Sequence, residues 1–340
     1  LVNMRKVVHL GPLGSQGGMS AVMKNMLENP PHGWETDVIE THGPSPVRKI
    51  SRWISSKSDL RRMIRSGEVD LAHIHVTHSF SWWRKLGLLR ICEKFRLPTV
   101  VHIHSGKFEK FCSGIAGSSV KKELSKNNRK ILVLEERWKT ALRGFIPADA
   151  EVLPNFSRQR IDRSEHNLEG GIKLLLLARD SPTKGHNFAI SILESLHEAG
   201  VDASLTMTGA KDLSSLIYPR LSINCLGWIS EEEKVRLMME ADFLISPSDF
   251  EGSSMSVIES LLCGLPCIVS KTSSETVGSG IFVVDSPNPK DWASRIIDLH
   301  VGDQYGESVR ITLENSKRFS VEMNQNKLSD IYGELMSRQQ

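Results

Sequence analysis

The chain has no apolar run long enough to cross a bilayer. A span needs about 18 to 20 such residues, and the longest stretches are short ones such as IKLLLLA at 172–178. Arg5 and Lys6 are followed by only a few apolar residues before GPLG interrupts them, so no secretory leader is expected and Met4 is a candidate start. The five cysteines (Cys92, Cys112, Cys225, Cys263, Cys267) are odd in number and include no C-x-x-C pair. That excludes a disulfide scaffold and predicts reduced thiols in a cytosol. With 25 glycines and 14 prolines the chain is too poor in both for a disordered protein. The glycine-rich stretch GPLGSQGGMS at 11–20 fits neither G-x-G-x-x-G nor the P-loop pattern, so no dinucleotide or ATP site is expected there.

What is present is a chain of 340 residues, 39% hydrophobic and 24% charged, which is more than one core normally serves and predicts two domains. Charge divides unevenly between them. Residues 1–155 carry 25 Lys and Arg against 14 Asp and Glu, a balance of +11, whereas the remainder carries 18 against 26, a balance of −8. A basic half suits phosphorylated substrates, anionic lipid or nucleic acid. Its densest stretch, VRKISRWISSKSDLRRMIRSG at 47–67, interleaves Arg48, Lys49, Arg52, Lys57, Arg61, Arg62 and Arg65 with Ile50, Trp53, Ile54, Leu60, Met63 and Ile64. The spacing fits a basic amphipathic helix on an anionic membrane surface. It fits equally a helix whose apolar stripe packs on a sheet and whose charges are solvated.

Short apolar strands alternate with longer amphipathic segments. Strands are expected at 6–10, 36–40, 70–76, 99–104 and 130–134, then at 172–178, 203–209, 222–227, 241–248, 266–270 and 280–285. This alternation predicts an α/β protein of two doubly wound Rossmann-like domains, each with a parallel sheet covered on both faces. Residues 1–155 form the first domain, with the C-terminal helix at 320–340 expected to pack back onto it, and 156–319 form the second. The join falls near 152–171, where apolar periodicity lapses. Open parallel sheets bind ligands at the carboxyl ends of their strands, so a cleft with the two sheets facing across it is expected to hold the ligand.

The motifs follow strands. The glycine loop at 11–20 lets backbone approach a phosphate or sugar, or is a plain turn. ARDSPTKG puts Arg179 just past a strand and Lys184 at the start of a helix, an arrangement that suits a diphosphate. In DFEGSSMSVIESLLCGLP at 249–266, Ser253 or Ser254 is the expected N-cap and Gly264 with Pro266 the stop, so Glu251 precedes the helix and Glu259 lies inside it. Small residues at that helix start leave its backbone N–H groups open to an anion, and a buried glutamate needs a partner such as a hydroxyl-rich ligand or a nearby cation. HIHVTH offers a rival, since His73, His75 and His78 have the H-x-H-x-x-H spacing of a dinuclear metallohydrolase, although Thr77 stands where an aspartate is expected. The bland alternative has His73 and His75 on one strand face, satisfied by hydrogen bonds.

Taken in order, EGSSMSVIESLLCGLPCIVS, ARDSPTKG, VLPN at 152–155, LGWISEEE at 226–233 and the early glycine pair resemble the retaining glycosyltransferases of family 4, the group 1 transferases with the GT-B fold. The resemblance implies that Arg179 and Lys184 bind the diphosphate of a nucleoside diphosphate sugar, UDP- or GDP-linked. It implies Glu259 at the ribose hydroxyls, Glu251 near the reacting carbon, and backbone of Gly252, Ser253, Ser254 and Met255 at phosphate and sugar oxygens. Ile229 would lie by the nucleobase, His104 next to the transferred sugar, and Gly17 and Gly18 in the loop that closes over the donor. His104 and Glu251 are thus the implied catalytic residues. Ser253 and Ser254 depart from the family's Phe-Gly, Ala178 from the glycine before its arginine, and Phe156 from the glycine after PN. The chain has no D-x-D, the metal–diphosphate clamp of other transferases, so no metal and no cofactor are expected. The function expected is retaining sugar transfer to a lipid-linked or saccharide acceptor in surface polysaccharide or glycan assembly, at the inner face of the membrane through residues 47–67, with no nucleic acid partner. The alternative is a nucleotide-sugar-binding protein without turnover.

Overall fold

In the computed structural model the described residues are 4–14, 18–43, 45–158, 168, 170–209 and 220–338. The chain divides into two compact units, Leu1–Phe156 with Val321–Gln340, and Ser157–Ser320.

The first unit is built on a six-stranded parallel sheet: β1 (Arg5–Gly11), β2 (Trp34–Glu40), β3 (Leu71–Val76), β4 (Thr99–Ile103), β5 (Arg129–Val133) and β6 (Glu151–Val152), in the spatial order β2-β1-β3-β4-β5-β6. The chain starts at β1, adds β2 on one side and the rest on the other, so its direction reverses between β1 and β3. Between strands lie α1 (Gly18–Glu28), α2 (Pro46–Arg65), α3 (Phe80–Lys94), α4 (Phe108–Cys112), α5 (Gly117–Leu124) and α6 (Glu136–Ala141). Strand side chains alternate between faces. One face is apolar: Val8, Leu10, Ala72, Ile74, Val76, Val101 and Ile103 pack with Leu60 of α2, Leu89 of α3 and Val120 of α5. The other face carries His9, His73, His75 and His102, all fully buried.

The second unit holds a five-stranded parallel sheet of β7 (Ile172–Leu176), β8 (Ala203–Thr208), β9 (Ser222–Leu226), β10 (Phe243–Ser246) and β11 (Cys267–Val269), ordered β11-β10-β7-β8-β9. Its helices are α7 (His186–Glu198), α8 (Glu231–Glu240), α9 (Met255–Leu262), α10 (Ser274–Val277), α11 (Pro289–His300) and α12 (Asp303–Ser316). Here the reversal falls between β7 and β10. The expected strand at 280–285 does not form. Gly280–Phe282 is a single 3-10 turn, and only Val283 bridges Val269, because β11 ends at Val269 and offers no longer edge to pair. Phe282 is fully buried, which accounts for the apolar pattern that suggested a strand.

The last helix, α13 (Val321–Ser337), belongs to the first unit and buries Leu328, Ile331, Tyr332 and Leu335 there. Tyr332 meets Trp34 edge-on at 5.0 Å, and Gln325 donates to Pro30 O at 2.9 Å. In α2, Ser45 caps the start by accepting from Arg48 N at 3.3 Å, with Pro46 in the first turn. Its buried stripe is Ser56, Leu60 and Met63, but Ile50 and Ile54 are 58% and 62% exposed. The apolar residues of α2 therefore do not all face the core. All five cysteines are free thiols, four of them buried. No helix among the described residues is long and apolar enough to cross a membrane.

Candidate functional site

In the second unit, two loops meet at the carboxyl ends of β7 and β10, where the chain direction reverses and α/β sheets bind their ligands. The loop after β7 runs through an exposed Arg179 to a 3-10 turn, Pro182–Lys184, and the left-handed Gly185 at φ 76°. A side chain on Gly185 would lie 2.5 Å from Pro247 O, so only glycine lets this loop lie against the one after β10. Asp249 N donates to Thr183 O at 3.0 Å and ties the two together. This contact brings Lys184 Nζ to 2.5 Å from Glu251 Oε1, both side chains largely buried. A crevice of about 910 Å³ opens beside the turn, lined by Asp180, Gly185, Asn187, Ser248, Lys271 and Trp292 among others.

From Glu251 the chain enters α9 with Ser254 as its N-cap. The first helical bond is Ile258 N to Ser254 O at 3.0 Å, so the N–H groups of Met255, Ser256 and Val257 precede the ladder at the positive end of the helix dipole. Ser254 does not cap through its side chain; its hydroxyl lies 3.1 Å from that of Ser256. Glu259 sits one turn further on and is 7% exposed. Its partner is Lys234 of α8, whose Nζ is 2.9 Å from Glu259 Oε2 and 2.6 Å from Glu231 Oε2. Burial raises the Glu259 carboxyl above the usual range, with Lys234 pulling the other way. For Lys234 burial would lower the ammonium, but the carboxylates of Glu259 and Glu231 outweigh it and hold it protonated. Sequence reasoning missed Lys234, because EEEK reads locally as a solvated helix start. Ile229, half-buried before α8, packs against the core of this unit, and its neighbour Trp228 is 63% exposed. Arg179, Lys184, Gly252, Ser253, Ser254, Met255, Ile229 and Glu259 thus share one unit with Glu251.

His104 and Gly18 belong to the first unit. Gly18 opens α1 and is exposed; Gly17 lies outside the described residues. His104 follows β4, next to the reversal between β1 and β3, and is only partly buried. It ends a row of histidines: His9 Nδ1 is 3.1 Å from His75 Nε2, and His75 Nδ1 is 2.8 Å from His104 Nε2. His73 Nδ1 meets the Tyr332 hydroxyl at 2.6 Å and His102 Nε2 meets Leu153 O at 3.3 Å. Burial drives His9 down to about 3, and burial with repulsion from Lys85 drives His104 to about 3. His73, His75 and His102 are also held well below the usual histidine range, first by burial and then by neighbouring histidines that include His9 and His104, so all five are neutral at pH 7. The H-x-H-x-x-H reading fails on geometry. The histidine groups close enough to share an ion among the described residues are His9, His73, His75 and His75, His102, His104, whereas His78 bonds Ser105 Oγ at 2.7 Å. The bland reading is half met, since His73 and His75 share a face with one bond or more each, but His73 Nε2 has no partner.

Residues 157–312 match the family model described as glycosyl transferases group 1. The GDP-mannose-dependent alpha-(1-6)-phosphatidylinositol dimannoside mannosyltransferase of Mycobacterium tuberculosis is 31% identical over 137 residues, 38% of this chain and 36% of that protein. The chain therefore spans about a third of the length of the curated relative it matches. Among solved structures, a sucrose-phosphate synthase from Thermosynechococcus elongatus superposes with a TM-score of 0.74 at 14% identity, covering 98% of this chain and 99% of the other. Anabaena Alr3699/HepE in complex with UDP-glucose does so with a TM-score of 0.70 at 13% identity, covering 97% and 99%. Residues 157–312 thus match the glycosyl transferases group 1 model, in a chain whose two parallel-sheet α/β units share the GT-B fold of these structures.

Proposed function

We propose that the protein is a metal-independent, retaining glycosyltransferase of family 4 that takes a sugar from a nucleoside diphosphate donor held by the second unit. The observation that carries this reading is the gathering of Lys184, Glu251 and the α9 N-terminus at the β7/β10 reversal. Breaking a sugar–phosphate bond builds charge on the departing diphosphate, and fixed cations with helix N–H groups stabilise it. Lys184 with Arg179 supplies the first and Met255 to Val257 the second. Glu251, held against Lys184, is the carboxylate for a developing oxocarbenium ion, and Glu259 accepts from the ribose hydroxyls. With the diphosphate neutralised by side chains and no D-x-D in the sequence, no metal is needed for this step.

The mannosyltransferase relative uses GDP-mannose and a phosphatidylinositol mannoside, and HepE was solved with UDP-glucose. Those names support a nucleotide sugar as donor and a lipid-linked or saccharide acceptor, with the base set by the loop at Trp228 and Ile229. The outward Ile50 and Ile54 of α2, beside exposed Arg52, support contact with an anionic membrane at the inner face. A thermal-shift screen against UDP, GDP and their common sugars tests the reading and identifies the base. Transfer that survives EDTA agrees with it, whereas a strict metal requirement or no stabilisation by any nucleotide counts against it.

A further inference from the structure

The histidine row on the first sheet does more than fill a core. His9, His75 and His104 sit on β1, on β3 and just after β4, and strand register sets them side by side: His9 pairs with His73, and His75 with His102. A metal ion does not explain the geometry. Two imidazole nitrogens on one zinc at about 2.0–2.1 Å and a tetrahedral angle lie about 3.3 Å apart, but His75 Nδ1 and His104 Nε2 are 2.8 Å apart, which is a hydrogen bond.

The direction of the bonds follows from which atoms are left over. A neutral imidazole has one N–H and one lone pair. His102 Nε2 faces a carbonyl and must donate, so its unpartnered Nδ1 is a bare lone pair. His9 Nε2 is likewise buried without a partner. A buried N–H without an acceptor is rarer and costlier than an under-satisfied acceptor. His9 therefore keeps its proton on Nδ1 and donates to His75 Nε2; His75, accepting there, is protonated on Nδ1 and donates to His104 Nε2. His104 must then carry its own proton on Nδ1, an atom with no protein partner among the described residues.

We infer that His9 and His75 form a one-way hydrogen-bond chain that locks His104 in the Nδ1–H tautomer, so that it offers a hydrogen-bond donor to a sugar hydroxyl at the carboxyl end of the first unit's sheet. His9 and His75 are positioning residues acting through His104. The chain stands on the geometry alone; the sugar as its recipient rests on the function proposed above.

Nitrogen-15 NMR of the histidine-labelled protein near neutral pH reads the tautomer directly. The expected spectrum has His104 protonated at Nδ1 with a lone pair at Nε2. His75→Leu removes the donor and should mix the tautomers, whereas His75→Asn keeps an N–H near the Nδ1 position and should restore them. Transfer kcat should fall by about 100-fold or more in His75→Leu, the scale on which a misplaced proton is felt, and recover in His75→Asn. His104 protonated at Nε2 in the unaltered protein, which needs no variant to fold, overturns the chain, as does one equivalent of zinc, copper or nickel in the purified protein. A tautomer that moves as expected while kcat stays unchanged overturns the sugar as recipient and leaves the chain standing.

Discussion

Lys234 of α8 reaches across to Glu259 of α9 at 2.9 Å, so the acid inside the site helix carries its counter-ion on a neighbouring helix. Lys234 offsets part of the burial that raises the Glu259 carboxyl. Under the proposed function, a ribose at Glu259 would meet an ion pair already formed.

Removing one partner of a buried pair leaves an uncompensated charge. Lys234→Met should therefore lower the stability of the second unit by about 3 kcal/mol in urea unfolding. The double change with Glu259→Gln should recover more than half of that loss. Additive losses would mean that the two side chains do not interact.

Lys184 and Glu251 touch, yet the proposed roles separate them. Lys184→Ala should weaken nucleoside diphosphate binding about 10-fold, or about 1.4 kcal/mol, in calorimetry. Glu251→Gln should leave that affinity within about threefold while lowering kcat about 100-fold. Equal effects of both changes on affinity would merge the two roles into one.

The buried histidines predict acid sensitivity with a definite sign. Their folded pKa values lie below the ordinary 6.5, about 3 for His9 and His104, so the unfolded chain binds protons first. Stability is full above about pH 6.5 and is lost as pH falls from there toward 3, each histidine adding up to about 1.4 kcal/mol per pH unit. Urea midpoints between pH 7.5 and 5 read the slope. His9→Leu should flatten it by about one proton.

On α2, charge reversal at Arg61, Arg62 and Arg65 should weaken binding to vesicles rich in anionic lipid by about 100-fold or more, at about 1 kcal/mol per basic residue near the surface. Ile50→Ser with Ile54→Ser should weaken it further without a change in fold, since both side chains are exposed. Binding unaltered by either set would leave α2 a solvated helix.

Much of this could be read from local pattern. Ten of the eleven expected strands form, because buried parallel strands announce themselves as short apolar runs. The exception, 280–285, is apolar for a different reason, the burial of Phe282 beneath a turn. The two-residue β6 was too short to leave a pattern. Lys184 and Glu251 could be named from their motifs, but their contact depends on Gly185 and the Pro247 backbone. Lys234 and the His9–His75–His104 row escaped, because a pairing between helices or across strand register has no signature along the chain. HIHVTH drew attention to His78, the one histidine of its three that the fold sets apart.

Helix α13 has a consequence for how the molecule is made. Tyr332 bonds His73 and packs on Trp34, so the first unit is completed by residues made only after the whole of the second unit. The second unit can close as soon as Ser320 emerges, while the first sheet still has its histidine face uncovered. Assembly is nested, since the second unit lies in sequence between the two segments of the first, and a fragment stopping at Phe156 lacks the helix that meets His73 and Trp34.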